Sequence, residues 1–287
     1  MNEGKVRMLI VMPAHNEAAY IGECLESFAR QTRTPDALWV VDDNRTDDTP
    51  VLVEEFTRKH PWIHLRSRKS SPDHRPGAKV IDAFQAGLPE NWESFDLIGK
   101  FDADIVLPPS YLEQMLEQFR YSPRLGMCGG HLYVEKDGRW TYEPIANPDH
   151  VRGPVKLYSM GCFQAIGGLR SFIGWDSADV LLARFHGFEV RTLPELRVKH
   201  LRPTGKDYSN ENARLQGQAL YNLRYGWLLS LIAAGKMALK RKKPMLPLHA
   251  LGGYFSALMH NKPRMLTQQE GNFVRKWRWK QIRGKLF

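Results

Sequence analysis

Asp96-Leu-Ile-Gly-Lys-Phe-Asp-Ala-Asp104 decides how this chain is read: a short apolar run that predicts a buried strand, closed by two carboxylates two residues apart. On an extended backbone Asp102 and Asp104 share one side, where both can face a single hard cation. A divalent metal at the carboxyl end of a parallel strand suits a diphosphate, whose charge it offsets as the phosphate leaves. The pair carries little by itself, since a chain this long contains roughly one Asp-x-Asp by chance.

Outward from it, residues 6–12 and 38–41 are further apolar runs of strand length, and residues 18–30 between them place Ile21, Leu25 and Phe28 at helical spacing. Helices are predicted over 51–59 and 80–88, with a strand at 63–65. This alternation predicts an α/β fold, a mostly parallel sheet with helices on both faces. Polar residues close each strand: Pro13-Ala-His-Asn-Glu17, then Asp42 and Asp43, then Asp102 and Asp104. In a doubly wound sheet those ends line one crevice. Arg75 and Lys79 precede a predicted helix, where a cation and backbone N–H groups can meet phosphate. Beyond the central strand the pattern predicts a helix from Ser110, a strand over 125–134 and a turn at Gly138 and Arg139. A helix over 158–166, a loop over 172–179 opening a short helix, and extended segments at 188–193 and 197–200 follow.

The 287 residues, 43% of them apolar, suffice for a sizeable core. Cys24, Cys128 and Cys162 are odd in number and far apart, which predicts reduced, buried thiols and no zinc site. No apolar leader opens the sequence, so the protein is expected to stay in the cytoplasm. The net charge of +10 is localised: residues 236–287 hold 13 Lys or Arg and one acid, while residues 1–235 hold 28 basic and 30 acidic residues. Several chemistries lose their support. The Asp102 segment has Leu107 where a calcium loop needs Gly, and no Gly-rich phosphate loop, Gly-x-Ser-x-Gly or His-Glu-x-x-His occurs.

Taken together, Pro13-Ala-His-Asn-Glu17, Val40-Val-Asp-Asp-Asn-Arg-Thr-Asp47 and Asp102-Ala-Asp-Ile-Val-Leu-Pro108 resemble the family-two, inverting glycosyltransferases with the GT-A fold, of the bacterial cell-envelope polysaccharide type. The resemblance runs from about residue 6 to 203. It implies that Pro13, Ala14, His15, Glu17 and Asp43 hold the nucleoside, that Asp102 serves the ribose or sugar, and that Asp104 ligates Mg2+ or Mn2+. Asp179, in the place of the family's acidic pair near the acceptor, is the implied general base, with Asp176 in reserve. His200 resembles the histidine that completes the metal site in some members. The Gln-x-x-Arg-Trp motif of processive synthases is absent, which favours transfer of a single sugar from a nucleotide-diphosphate donor.

Residues 1–203 thus read as the catalytic domain and 204–287 as a helical, basic extension. Residues 244–261 carry no charge, but their Pro, Gly and His content predicts an interfacial or packed segment, not a membrane span. With Lys240-Arg-Lys-Lys243 before it and Lys276-Trp-Arg-Trp-Lys280 after it, the extension suits an anionic membrane surface, and a glycan or lipid-linked acceptor at the inner face of the plasma membrane would explain it. Two other readings stand beside this one. A nucleotidyltransferase would share the sheet and the acidic pair but usually has a Gly-rich first turn. A nucleic-acid-binding protein could use the basic aromatic tail but leaves the acidic crevice without a role, so no nucleic acid is expected.

Overall fold

The computed structural model describes residues 5–43, 46–70, 77–145, 147–203 and 209–284. In chain order its elements are β1 (Met8–Ala14), α1 (Ile21–Ala29), β2 (Ala37–Asp43), α2 (Thr49–Lys59), β3 (Ile63–Arg68), α3 (Ala78–Gly87), β4 (Leu97–Phe101), β5 (Ile105–Val106), α4 (Tyr111–Tyr121) and β6 (Leu125–Lys136). Then come β7 (Arg139–Tyr142), β8 (Val155–Ser159), α5 (Met160–Ala165), α6 (Trp175–Phe185), β9 (Glu189–His200), α7 (Asn210–Asn222), α8 (Gly226–Arg241), α9 (Leu246–Met259) and α10 (Gln268–Arg283).

β1 shows why the fold has three layers. Met8, Leu9, Ile10, Val11 and Met12 are all fully buried, so both faces of this strand are covered. Alternate residues serve opposite layers, as the two-residue period of a strand requires. Met8, Ile10 and Met12 pack with Leu25 and Phe28 of α1 and Leu112 of α4, whereas Leu9 and Val11 pack with Ile81 and Phe84 of α3.

The strand order is β3-β2-β1-β4-β8-β6-β9-β5, with β7 on β6. The first four strands are parallel, as the βαβ pattern predicts. The other half is mixed: β8 runs antiparallel to both β4 and β6, β9 is parallel to β6, and β5 is antiparallel to β9. A parallel neighbour needs a crossover, and β8 enters from a loop with no helix before it. The turn read at Gly138 and Arg139 is Asp137-Gly138, both with positive φ (50° and 72°), the pairing a tight β-hairpin demands; Arg139 already belongs to β7.

Three other boundaries move. β4 stops at Phe101, so Asp102 and Asp104 sit in a turn and not on an extended strand. Where the sequence predicts a helix from Tyr158, the chain stays in β8 through Ser159, whose hydroxyl caps α5 by accepting from Cys162 N at 3.3 Å. The two extended segments near the end of the catalytic part are one strand, β9, with a register shift opposite Gly130 and His131.

The C-terminal helices join this core. Leu223, Tyr225, Leu229, Met265, Leu266 and Val274 belong to the same buried cluster as Val180 and Leu181 of α6. α7 and α9 touch backbone to backbone: a Cβ on Gly217 would lie 1.7 Å from Ala250 O, and one on Gly253 would lie 2.0 Å from Arg214 O. α10 starts with a capping box, Thr267 and Glu270, and Glu270 also takes Arg170 at 2.7 Å. Trp277 and Trp279, expected to face a membrane, are half-buried against this core.

Candidate active site

Because β2, β1 and β4 are parallel neighbours, their carboxyl ends share one edge of the sheet. Pro13 and Ala14 close β1 opposite Val41 and Asp42. His15 Nδ1 lies 2.5 Å from Asp43 O. Asn16, in the left-handed region at φ 55°, turns the chain so that its Oδ1 accepts from Thr46 N at 2.9 Å. Asp47 then stitches the two loops together, accepting from Ala18 N at 2.9 Å and from Thr49 Oγ1 at 2.6 Å, while Thr49 accepts from Glu17 N. The buried Asp43 carboxylate accepts from Ser70 N at 3.2 Å, with Arg68 Nε at 3.4 Å. Lys79 is the half-buried second residue of α3. The preceding Gly77 (φ 74°) backs onto Phe172 and Ile173, which brings the start of α3 against the loop before α6. Arg75 lies outside the described residues.

The turn after β4 parts the two carboxylates. Asp102 pairs with Lys100, a lysine buried in β4 that needs a counter-charge, and its N–H donates to Pro154 O at 3.1 Å. Asp104 faces the end of β9 instead: its Oδ1 is 3.6 Å from His200 Nε2, and its Oδ2 accepts from Arg202 Nε at 3.2 Å. Burial pushes the Asp104 carboxyl up, but His200 and Arg202 outweigh it and hold it below the usual value. Burial pulls the His200 imidazole down, yet hydrogen bonds to Asp104 and Glu143 raise it to about 9. The Arg202 guanidinium also pairs with Glu17, whose carboxyl burial pushes up to about 7.

Among the described residues no three His, Cys, Asp or Glu side chains form a ready-made cation cage. A Mg2+ or Mn2+ that keeps one or two protein ligands and takes phosphate and water oxygens for the rest needs no such cage. Two observations fit such an ion. His200 presents Nε2 to Asp104 while its Nδ1 lies 3.4 Å from Glu143 Oε2, the way a metal-binding imidazole is oriented by a carboxylate behind it. Glu17 Oε2, beside Arg202, is buried without a hydrogen-bond partner among the described residues.

At the start of α6, Gly174 (φ 89°) turns the chain into Trp175 and Asp176. The Asp179 carboxylate, the sequence's first choice of base, faces inward: it accepts from Lys156 Nζ at 2.7 Å on both oxygens, from Tyr158 Oη at 2.5 Å and from Val180 N at 2.6 Å. Asp179 is thus 3% exposed with its carboxylate bonded inside the core, whereas the reserve, Asp176, lies nearer solvent. The Asp176 side chain, 45% exposed, has His150 Nε2 3.9 Å away. Burial of its surroundings opposes its charge, but His150, Lys156 and Arg152 prevail and hold its carboxyl down to about 2.

Four participants escape the sequence reading. Lys100 and Lys156, cross-strand partners on β4 and β8, each place Nζ 5.2 Å from the centre of the Trp175 ring, and Gly153 leaves room for the indole. Glu143 pairs with Arg152 and backs His200 from 57 residues away. Arg202 follows β9 outside any motif. The only signal was a lysine in each of two apolar strands.

Comparisons with known proteins bear on family and fold. Residues 9–172 match the family model described as Glycosyl transferase family 2. Chondroitin synthase of Escherichia coli is 32% identical over 111 residues, which cover 39% of this chain and 15% of that protein. The chain spans from 10% to 45% of the length of the curated relatives it matches. Among solved structures, the mannosyltransferase PcManGT from Pyrobaculum calidifontis, in complex with GDP-Man and Mn2+, superposes with a TM-score of 0.57 at 15% identity, covering 98% of this chain and 81% of its own. TarS 1–349 of S. aureus, in complex with UDP-GlcNAc, gives 0.61 at 14% identity, covering 88% and 81%. These likenesses show the GT-A-type fold. With its model matched over more than half of the sequence, the chain belongs to glycosyl transferase family 2.

Proposed function

We propose that the chain transfers a single sugar from a nucleotide-diphosphate sugar to an acceptor hydroxyl, with inversion at the sugar carbon. The observation that carries this reading is the bridge across the crevice at Trp175. Lys100 and Lys156, register partners on β4 and β8, both lie 5.2 Å from the centre of the indole ring; Lys100 holds Asp102, and Lys156 donates to the Asp176 carbonyl at 2.6 Å. A donor sugar at Asp102 and an acceptor at Asp176 are then neighbours.

In this reading Asp43 accepts a hydrogen bond from the base, with Pro13, Ala14, His15 and Glu17 around the nucleoside. Asp102 orients the ribose or sugar, Arg202 and Lys79 bind the diphosphate, and Arg75 keeps the phosphate-binding role expected from the sequence. Asp104 and His200 would hold Mg2+ or Mn2+, which supplies positive charge for the departing diphosphate. Asp176 takes the proton as the acceptor oxygen attacks the sugar carbon from the face opposite the diphosphate; the bond from carbon to phosphate oxygen breaks, and the nucleoside diphosphate leaves with that electron pair. Supporting the donor class, the structurally similar mannosyltransferase contains GDP-Man and Mn2+, and TarS contains UDP-GlcNAc.

The acceptor is a glycan or lipid-linked precursor, met at the inner face of the plasma membrane. The basic, apolar C-terminal helices support this location, and no helix among the described residues is long and apolar enough to cross a membrane. The test is a panel of UDP-, GDP- and dTDP-sugars, with release of nucleoside diphosphate measured in Mn2+ and in chelator. Metal-dependent release from one donor is expected, and its absence from all would refute the reading.

A further inference from the structure

Of the thirteen large apolar side chains that stand exposed among the described residues, ten lie between Trp227 and Met259. On α8, Trp227, Leu231 and Leu239 recur at multiples of four residues; on α9, Leu248, Phe255 and Met259 recur at seven and eleven. Such spacings put each set on one helical face. The opposite faces are seated: Leu229 and Ser230 of α8 are buried, and Ala250, Tyr254 and Ala257 of α9 are buried beside α7. The exposed stripes are thus the outer faces of two helices in mutual contact.

Charge says what can cover them. From residue 212 to 269 the sequence holds nine Lys or Arg and no Asp or Glu. Lys236, Lys240 and Lys242 are exposed around the end of α8, and Lys262 follows α9. Two copies of this chain meeting face to face would set like charges against each other.

We propose that the outer faces of α8 and α9 lie flat on an anionic lipid leaflet, with the apolar stripes in the acyl boundary and the lysines at the headgroups. This rests on the reading of an acceptor at a membrane. It moves the contact from the basic aromatic segment of α10, where Trp277 and Trp279 are half-buried, to the pair before it. Helices of 16 and 14 residues suit an interface rather than a crossing.

The test is co-sedimentation of the full chain with vesicles of phosphatidylcholine plus phosphatidylglycerol, against phosphatidylcholine alone. The wild type should prefer the anionic vesicles and release as salt rises. The triple substitution L231E/L248E/F255E, at exposed positions, should lower the partition at least about tenfold, since three apolar side chains become charged. Cleavage of the nucleotide sugar in solution should be unchanged in that variant, so loss of vesicle binding and loss of donor chemistry are read separately. As a second measurement, Leu248→Cys carrying an environment-sensitive dye should shift to the blue on anionic vesicles, the three native cysteines being buried. Equal partition of wild type and variant, an unshifted dye, or a wild type that ignores vesicles and sediments as a dimer would each overturn the proposal.

Discussion

Lys156 Nζ lies 2.7 Å from each carboxylate oxygen of Asp179 and 2.6 Å from the carbonyl oxygen of Asp176. One buried ammonium therefore both neutralises a core carboxylate and fixes the backbone of the proposed base. Lys156→Met would leave Asp179 buried without its cation and should lower stability by ~3–5 kcal/mol. The double variant K156M/D179L, which removes both charges, should recover most of that loss in urea denaturation. If it recovered nothing, the ion pair would not be what stabilises this region.

The low pKa of Asp176 gives a pH dependence of known sign. A carboxyl held at about 2 in the folded chain, below its ordinary value near 3.8, contributes stability that is present above the ordinary value and lost as the pH falls toward 2. Because the side chain is 45% exposed, solvent screening limits the contribution to no more than about 1 kcal/mol. The melting temperatures of wild type and Asp176→Asn should therefore differ at pH 6 and converge near pH 2. A difference that widened in acid would contradict the assignment.

The sheet's first half was legible because burial on both faces leaves an apolar run such as residues 8–12, and because strand-end polar residues such as Asp43 break it. The second half was not, since nothing local separates an antiparallel return from a crossover. Lys100 and Lys156 look like surface lysines until their partners, Asp102 and Asp179, are in place. Trp277 misled for a similar reason: basic neighbours suit a membrane surface, but Arg184 stacks 5.3 Å from its ring and Phe273 lies 5.9 Å away. The spacing of Asp176 and Asp179, one turn apart, could not say which faced outward.

α10 is accordingly structural. Deleting residues 271–287 removes the buried Val274 and the packed Trp277, and each fully buried apolar side chain is worth ~1.5–3 kcal/mol. The truncated chain should melt clearly lower than the full chain by calorimetry. Unchanged melting would mean that this helix contributes no core.

Glu143 orients His200 from behind and pairs with Arg152. Glu143→Gln preserves its size but weakens that hold on the imidazole. Loss of a carboxylate behind a metal-binding His typically lowers metal affinity ~10- to 100-fold. Titrating Mn2+ in the presence of the nucleoside diphosphate should show a shift of that order, with no comparable change at Glu135→Gln, an exposed control on β6. Equal affinities would detach Glu143 from the metal.

The base assignment is decided by two substitutions three residues apart. Asp176→Asn keeps the side chain's size in its half-exposed place but cannot take a proton, so transfer should fall by ~10² or more. Donor affinity should stay within a few fold, because only the transition state loses an interaction. Asp179→Asn acts differently. It leaves Lys156 without its charge partner in the core, so its first effect is on stability, and any loss of turnover should track unfolding and be recovered at lower temperature. Comparing kcat with the folded fraction across temperature separates the two. A folded Asp179→Asn enzyme with turnover reduced a hundredfold, beside a near-normal Asp176→Asn, would return the proton to Asp179.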